Sequence, residues 1–178
     1  MNYSVFQLPD SQNVIDLFAS VFTHSEGKEE GQLISELVSN LISTTAPDDL
    51  VGFVAKNHDG LVGCIFFSRF VVPNDQLAFM LSPVAVATDV QNQGVGLGLI
   101  NFGLQYLKQK QVELVFTYGD PAYYSKLGFQ QIDEHIVKAP FKLSQPIGWL
   151  GQSLNGETLQ PMQGVTGCVE ALSDAKYW

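Results

Sequence analysis

Arginine is almost absent from this chain: Arg69 is the only one in 178 residues. Nine Lys and Arg face eighteen Asp and Glu, a formal net charge of −9. Nucleic-acid binding needs a basic face, so that class of partner is excluded. Cysteine is scarce too. Cys64 and Cys168 are the only two, and they read as reduced, core-packed thiols and not as a disulfide framework. His24, His58 and His135 have no metal-ligand spacing and no cysteine cluster nearby, so no metal is expected. Apolar runs are too short to cross a bilayer, and no basic segment followed by an apolar stretch opens the chain. A cytoplasmic protein with no membrane partner is the expectation. A hydrophobic fraction of 46% against 15% charged residues describes a chain that buries a core and is not disordered.

The acidity is uneven. Residues 1–60 carry nine carboxylates against Lys28 and Lys56, whereas the remainder carries nine against seven basic groups. Such a field attracts cations, and it also serves plain solubility.

Periodicity organises the first half. Residues 3–8 predict a strand. Val14, Leu17, Phe18, Val21 and Phe22 fall at helical spacing, with Asp10 and Ser11 as candidate N-caps. Leu33, Ile34, Leu37, Val38, Leu41 and Ile42 repeat the pattern in a second helix that stops before Pro47. Residues 23–31 between them read as a polar connection. Three strand-like runs follow at 51–57, 61–71 and 77–86, the first two joined by the tight-turn signal Asn57-His58-Asp59-Gly60. A helix over about 96–110 and a strand over 113–118 come next. Asp120-Pro121 then announces a short helix, Asp as cap and Pro in the first turn. Strand-like material resumes after Phe129. From Pro140 the chain is rich in Gly and Pro, with a last strand expected at 165–172. The length fits a single domain over 1–178, with a core over about 1–135 and a loop-rich extension over about 136–178. This order predicts an α+β layer with helices on both faces.

One stretch stands apart. Gln91-Asn92-Gln93-Gly94-Val95-Gly96-Leu97-Gly98 opens a helix directly after an apolar strand. A helix N-terminus presents unpaired N–H groups and partial positive charge, which hold a phosphate without any basic side chain. Glycines let a diphosphate approach that backbone. The same glycines also suit close helix–sheet packing. A dinucleotide fold would need repeated βαβ units and an acidic residue about twenty positions on; Glu113 stands near that distance, but the preceding strands read as a hairpin and meander. A P-loop is excluded, because no Lys-Ser or Lys-Thr follows the glycines.

A second stretch, Tyr124-Ser125-Lys126-Leu127-Gly128-Phe129, puts a phenol four residues before a Gly-Phe turn. Together the two resemble the Gcn5-related N-acetyltransferase (GNAT) superfamily, whose cofactor motif Gln/Arg-x-x-Gly-x-Gly/Ala is matched in register by Gln91, Gly94 and Gly96. Gly119-Asp120-Pro121-Ala122-Tyr123-Tyr124, with the later Gly148-Trp149-Leu150, is similar to the YhbS-like branch of bacterial acetyltransferases. The resemblance covers most of residues 5–130 and implies the GNAT acyl-CoA N-acyltransferase fold: a three-layer α+β sandwich around a mixed, mostly antiparallel sheet of six or seven strands. It implies acetyl-CoA as cosubstrate, its pyrophosphate on the loop formed by Gln91, Asn92, Gln93, Gly94, Val95, Gly96, Leu97 and Gly98. Its pantetheine arm would run along Val84, Ala85 and Val86, and Tyr124 would be the general acid. The chain departs from many members in lacking an Asn on the strand before the tyrosine helix, where Thr117-Tyr118-Gly119 stands.

Some relatives place a Glu on the strand matching Leu77–Ser82 to take the amine's proton; here that strand has no carboxylate. Glu30 in the polar connection is the candidate base, with Glu26, Glu29 and His24 as alternatives. The acceptor would be a small-molecule amine or a protein lysine or N-terminus, cationic in view of the acidic N-terminal third. A homodimer built with the tail is compatible with the resemblance. A non-catalytic acyl-CoA-binding module is the other reading, against which the intact tyrosine motif speaks. Trp149, Trp178 and Phe141 are expected in packing roles or along an acceptor cleft.

Overall fold

Alternating apolar residues and well-placed turns build the sheet of this protein. The structure, a computed structural model, describes residues 1–178. Its elements are β1 (Asn2–Val5), α1 (Ser11–Glu26), α2 (Lys28–Thr44), β2 (Leu50–Asn57), β3 (Gly60–Val71), β4 (Ala78–Val86), α3 (Val95–Gln109), β5 (Leu114–Tyr118), α4 (Pro121–Tyr124), β6 (Gln130–Gln131), β7 (Trp149–Ser153) and β8 (Gly167–Cys168). The strands pair in the order β1-β2-β3-β4-β5-β7-β6, and β8 pairs with β3, giving eight strands where six or seven were expected. The additional pairing comes from the tail. No helix is long and apolar enough to cross a membrane.

The chain forms two compact units, residues 1–66 with 83–103 and residues 67–82 with 104–178. In the first, β1 runs antiparallel to β2, Val5 opposite Phe53. The turn into β3 is closed by Asn57, whose Oδ1 accepts from the N–H groups of Asp59 and Gly60 at 2.9 and 3.1 Å, with Gly60 at φ 127. Such an Asx turn is the reason Asn leads this hairpin. Phe66 packs against Phe18 of α1 and against Phe6. Phe53, of opposite parity to Gly52, which faces Phe66, meets Phe102 of α3 instead. Helices thus cover both faces, because successive strand residues point to opposite sides.

The expected polar connection at 23–31 does not exist. α1 runs to Glu26 and α2 begins at Lys28, leaving Gly27 alone between them at φ 103. Glycine supplies this conformation without a steric cost, so the chain reverses in one residue. The two helices then touch at Gly31, where a Cβ would lie 2.8 Å from the Ala19 carbonyl oxygen. Asp10 stands at the α1 N-cap, yet its carboxylate does not cap; it pairs with Lys56 Nζ at 2.8 and 3.0 Å.

In the second unit, β4 and β5 are parallel from Ala78 opposite Leu114 to Leu81 opposite Thr117. Glu113 anchors the start of that pair, accepting from Gln76 Nε2 at 3.0 Å and from the Leu77 N–H at 3.1 Å. Both bonds hold its carboxyl below the usual range. This structural task, in front of β5 and not beyond it, leaves no dinucleotide role for Glu113.

β7 corrects the reading of the tail as loop with one late strand. It pairs antiparallel along the whole of β5, Tyr118 opposite Trp149, and with β6 on its other side. Only Gly167–Cys168 of the expected 165–172 strand forms, opposite Val71 and Phe70. Trp149 is fully buried among Phe70, Phe116 and Trp178, and its indole N–H donates to the Val137 carbonyl at 2.8 Å. Trp178 is buried as well and donates to the Leu172 carbonyl at 3.0 Å. Both tryptophans are core residues, each with its one polar atom satisfied. Cys64 is buried, and burial pushes its thiol well above the ordinary value; Cys168, in β8, is only half-buried.

Candidate active site

The Gly-rich loop begins where β4 ends. The Ala87 N–H donates to the Val62 carbonyl at 2.8 Å, which directs Ala87 toward β3. By strand alternation the backbone groups of Val84 and Val86 point to the opposite edge. β5 pairs with β4 only as far as Leu81, so that stretch of edge has no strand partner. Gln91 fastens the loop to it, its Nε2 donating to the Val86 carbonyl at 2.9 Å. Gln93 Nε2 bonds the Asp89 carbonyl at 3.3 Å in the same turn. The side chains of Gln91 and Gln93 therefore shape the loop.

Asn92 at φ 60 and Gly94 at φ 81 turn the backbone into α3. The first backbone bond there runs from the Gly98 N–H to the Gly94 carbonyl at 2.9 Å. The N–H groups of Val95, Gly96 and Leu97 precede it and have no helical acceptor. Nothing lies within 4 Å of a Cβ built on Gly94, the residue before these donors. The arrangement fits a diphosphate. Gly98 has a different reason to be glycine. A Cβ there would collide with the Tyr3 hydroxyl and lie 2.8 Å from its Cζ, so this residue admits β1 against the helix.

The tyrosine sits in the other unit. Asp120 caps α4 as anticipated, Oδ1 accepting from the Ala122 N–H at 2.8 Å, with Pro121 in the first turn. The helix then ends at Gly128, φ 87, in the left-handed conformation that suits a C-terminal glycine. This short turn lays the Tyr124 ring on Gly119, where a Cβ would stand 2.7 Å from Cε2. Phe129 meets the ring edge-on at 5.7 Å between centroids.

Burial pushes the Tyr124 phenol up to about 12; the neighbouring Thr117 hydroxyl partly offsets this, and the fields of Tyr123 and Asp120 add to it. Thr117 is itself buried and donates to the Leu81 carbonyl at 3.0 Å. Leu81 and Thr117 are the last paired residues of β4 and β5, so the hydroxyl that acts on the phenol stands where the two strands part. Thr117 and Gly119 were not singled out individually in the sequence. The signal was the absence of the expected Asn in this stretch, but neither residue's task can be read without the ring in place.

Glu30 lies in the first turn of α2 with Glu29, where a carboxylate favours the helix dipole. Glu26 and His24 lie in the last turn of α1, and both are exposed. No group of three or more His, Cys, Asp or Glu is placed to hold a metal ion.

The chain is similar to known proteins. Residues 48–131 match the family model described as acetyltransferase (GNAT) domain. The uncharacterized N-acetyltransferase YjhQ of Escherichia coli K12 is 27% identical over 168 residues, covering 91% of this chain and 89% of YjhQ. The uncharacterized N-acetyltransferase YhbS of the same strain is 27% identical over 147 residues, 82% of each chain. Among solved structures, Escherichia coli YhbS in complex with CoA superposes with a TM-score of 0.79 at 23% identity, over 97% of this chain and 92% of that one. A Brucella melitensis GNAT acetyltransferase in complex with acetyl-CoA follows at 0.70 and 18%, over 97% and 99%. With its open β4 edge, unpaired helix N-terminus and seated tyrosine beside these likenesses, residues 48–131 form a GNAT acetyltransferase domain, and the chain over most of its length is similar to the YhbS-like branch of these acyltransferases.

Proposed function

We propose that the protein moves the acetyl group of acetyl-CoA to a primary amine by direct attack. The observation that supports this most is the Tyr124 phenol, held protonated at the parting of β4 and β5. In this reading the pyrophosphate rests on the N–H groups of Val95, Gly96 and Leu97, within the loop from Gln91 to Gly98. Pantetheine takes up the free edge at Val84, Ala85 and Val86, chiefly through the backbone of the two valines.

The amine nitrogen attacks the thioester carbon, and the C–N bond forms. The Val84 N–H, which follows the donor-less Pro83, steadies the oxyanion. As the C–S bond breaks, its electron pair goes to sulfur and Tyr124 supplies the proton there, regaining one from solvent once CoA leaves. A phenol at about 12 is a weaker acid than a free one. The same desolvation makes the thiolate more basic, so donor and acceptor shift together. The amine's own proton leaves to water or to Glu30; Glu30→Gln separates the two, lowering kcat only in the second case.

The test is Tyr124→Phe, which keeps the ring on Gly119 and removes the O–H. With an amine acceptor and thiol release as readout, kcat falls by about 10²–10⁴, while acetyl-CoA affinity holds. An unchanged kcat overturns the assignment.

A further inference from the structure

The end of β5 and the turn before β7 enclose an open depression of about 470 Å3, lined among others by Tyr118, Gly119, Asp120, Ser144, Gln145 and Ile147. We propose that this depression is the acceptor subsite and that it selects aliphatic diamines, with Asp120 holding the ammonium group distant from the attacking nitrogen. The inference rests on the acetyl-transfer reading and adds the substrate class to it.

Position comes first. Gly119 is a wall of the depression, and the Tyr124 ring lies against the same residue, Cε2 at 2.7 Å and Cζ at 3.7 Å from the site of a Cβ. No side chain at that residue stands between the depression and the phenol. Gly119 is thus the shared boundary of the depression and the Tyr124 ring.

Charge comes second. Asp120 is the only charged residue in the lining, and no Lys or Arg joins it. Its Oδ1 is used by the α4 cap, whereas Oδ2 has no protein hydrogen bond. The carboxylate is exposed, and its field reaches the Tyr124 phenol. An acceptor with its own carboxylate or phosphate would meet Asp120 with no compensating cation, so the site disfavours it.

The remaining walls suit a methylene chain. The Tyr118 hydroxyl accepts from the Gln145 N–H at 2.7 Å and is bonded to Ser144 Oγ at 2.8 Å, while its ring stacks on Trp178. That hydroxyl is committed within the protein, so the residue acts as a fixed surface. Ile147, 57% exposed, adds apolar area at the rim. A diamine brings the features required: one end deprotonates and attacks, the other stays cationic against Asp120, and the stem covers Ile147.

The experiment compares 1,4-diaminobutane with n-butylamine in the wild type and in Asp120→Asn, a change that keeps the side-chain oxygen for the α4 cap and removes the charge. We expect the kcat/KM ratio of the diamine to n-butylamine to fall about ten-fold or more, the loss of one charge-assisted hydrogen bond; any effect that Asp120 has through Tyr124 is common to both amines and leaves the ratio unchanged. Ile147→Lys, which puts a cation at the rim, should weaken the diamine in the same direction. Calorimetric titration of the diamine into CoA-saturated protein should give the same ranking. Equal loss for both amines, or no loss, overturns the subsite. Acetyl-CoA binding is measured alongside: if the wild type binds acetyl-CoA but not the diamine, the subsite alone falls. If it binds no acetyl-CoA, the acetyl-transfer reading falls and takes the subsite with it.

Discussion

Gly119→Ala tests how far catalysis depends on the seat of Tyr124. The added Cβ would lie 2.7 Å from Cε2 of the ring, whereas ordinary contact begins at 3.4 Å. The ring must retreat by the difference, 3.4 − 2.7, or about 0.7 Å. Gly119 does not have a positive φ, so alanine adds crowding without backbone strain. A misplacement on the order of 1 Å at a reacting group costs about 10²-fold in rate. We therefore expect kcat to fall by roughly 10-fold to 100-fold with acetyl-CoA affinity unchanged, since the Gly-rich loop is untouched. Steady-state kinetics with a saturating amine give the rate, and calorimetry gives the affinity. Combining the substitution with Tyr124→Phe should add little, because both act on one proton donor. A single variant with wild-type kcat would refute the claim that Gly119 positions the phenol.

Other consequences can be checked independently. Gly31→Ala sets a Cβ 2.8 Å from the Ala19 carbonyl oxygen and 2.9 Å from the Thr23 nitrogen; despite the better helix propensity, it should cost about 1–3 kcal/mol in denaturant unfolding. Ser68 is fully buried and its hydroxyl has no partner, so Ser68→Ala should be neutral or stabilise by about 1 kcal/mol; a clear loss of stability would contradict this. The raised Tyr124 phenol remains protonated below about pH 12. The rate should therefore rise with pH as the amine deprotonates, and a descending limb near the ordinary phenol value of about 10 would count against the burial described.

Local chemistry made much of the fold legible. Asn57 and Gly60 close their hairpin, and Asp120 with Pro121 starts α4, because each signal acts within a few residues. The elements missed depend on distant partners. β7 carries Gly151 in its middle and no alternation of its own. A Cβ there would stand 3.0 Å from Phe116, so glycine is what lets this strand close on β5. The motif places Gly98 in the Gly-rich loop, whereas its close approach to Tyr3, far away in sequence, is set by the fold. The polar residues 23–31 looked like a loop because their composition is polar; they are helix, and Gly27 alone makes the reversal. At the site, the glycine loop and Tyr124 were visible as motifs. The link from Leu81 through Thr117 to the phenol was not, since it arises only from the β4–β5 register.

The central claim is that the N–H groups opening α3 hold acetyl-CoA. Calorimetric titration of acetyl-CoA into the wild type and into Gly94→Trp tests it most directly. A side chain at Gly94 meets no atom within 4 Å, but φ 81 strains any residue with a Cβ, so the indole crowds the turn before α3 and also disturbs its backbone. The account predicts saturable binding by the wild type and its loss in the variant, with the fold retained by circular dichroism. No binding by the wild type, or binding that the indole leaves untouched, would contradict it.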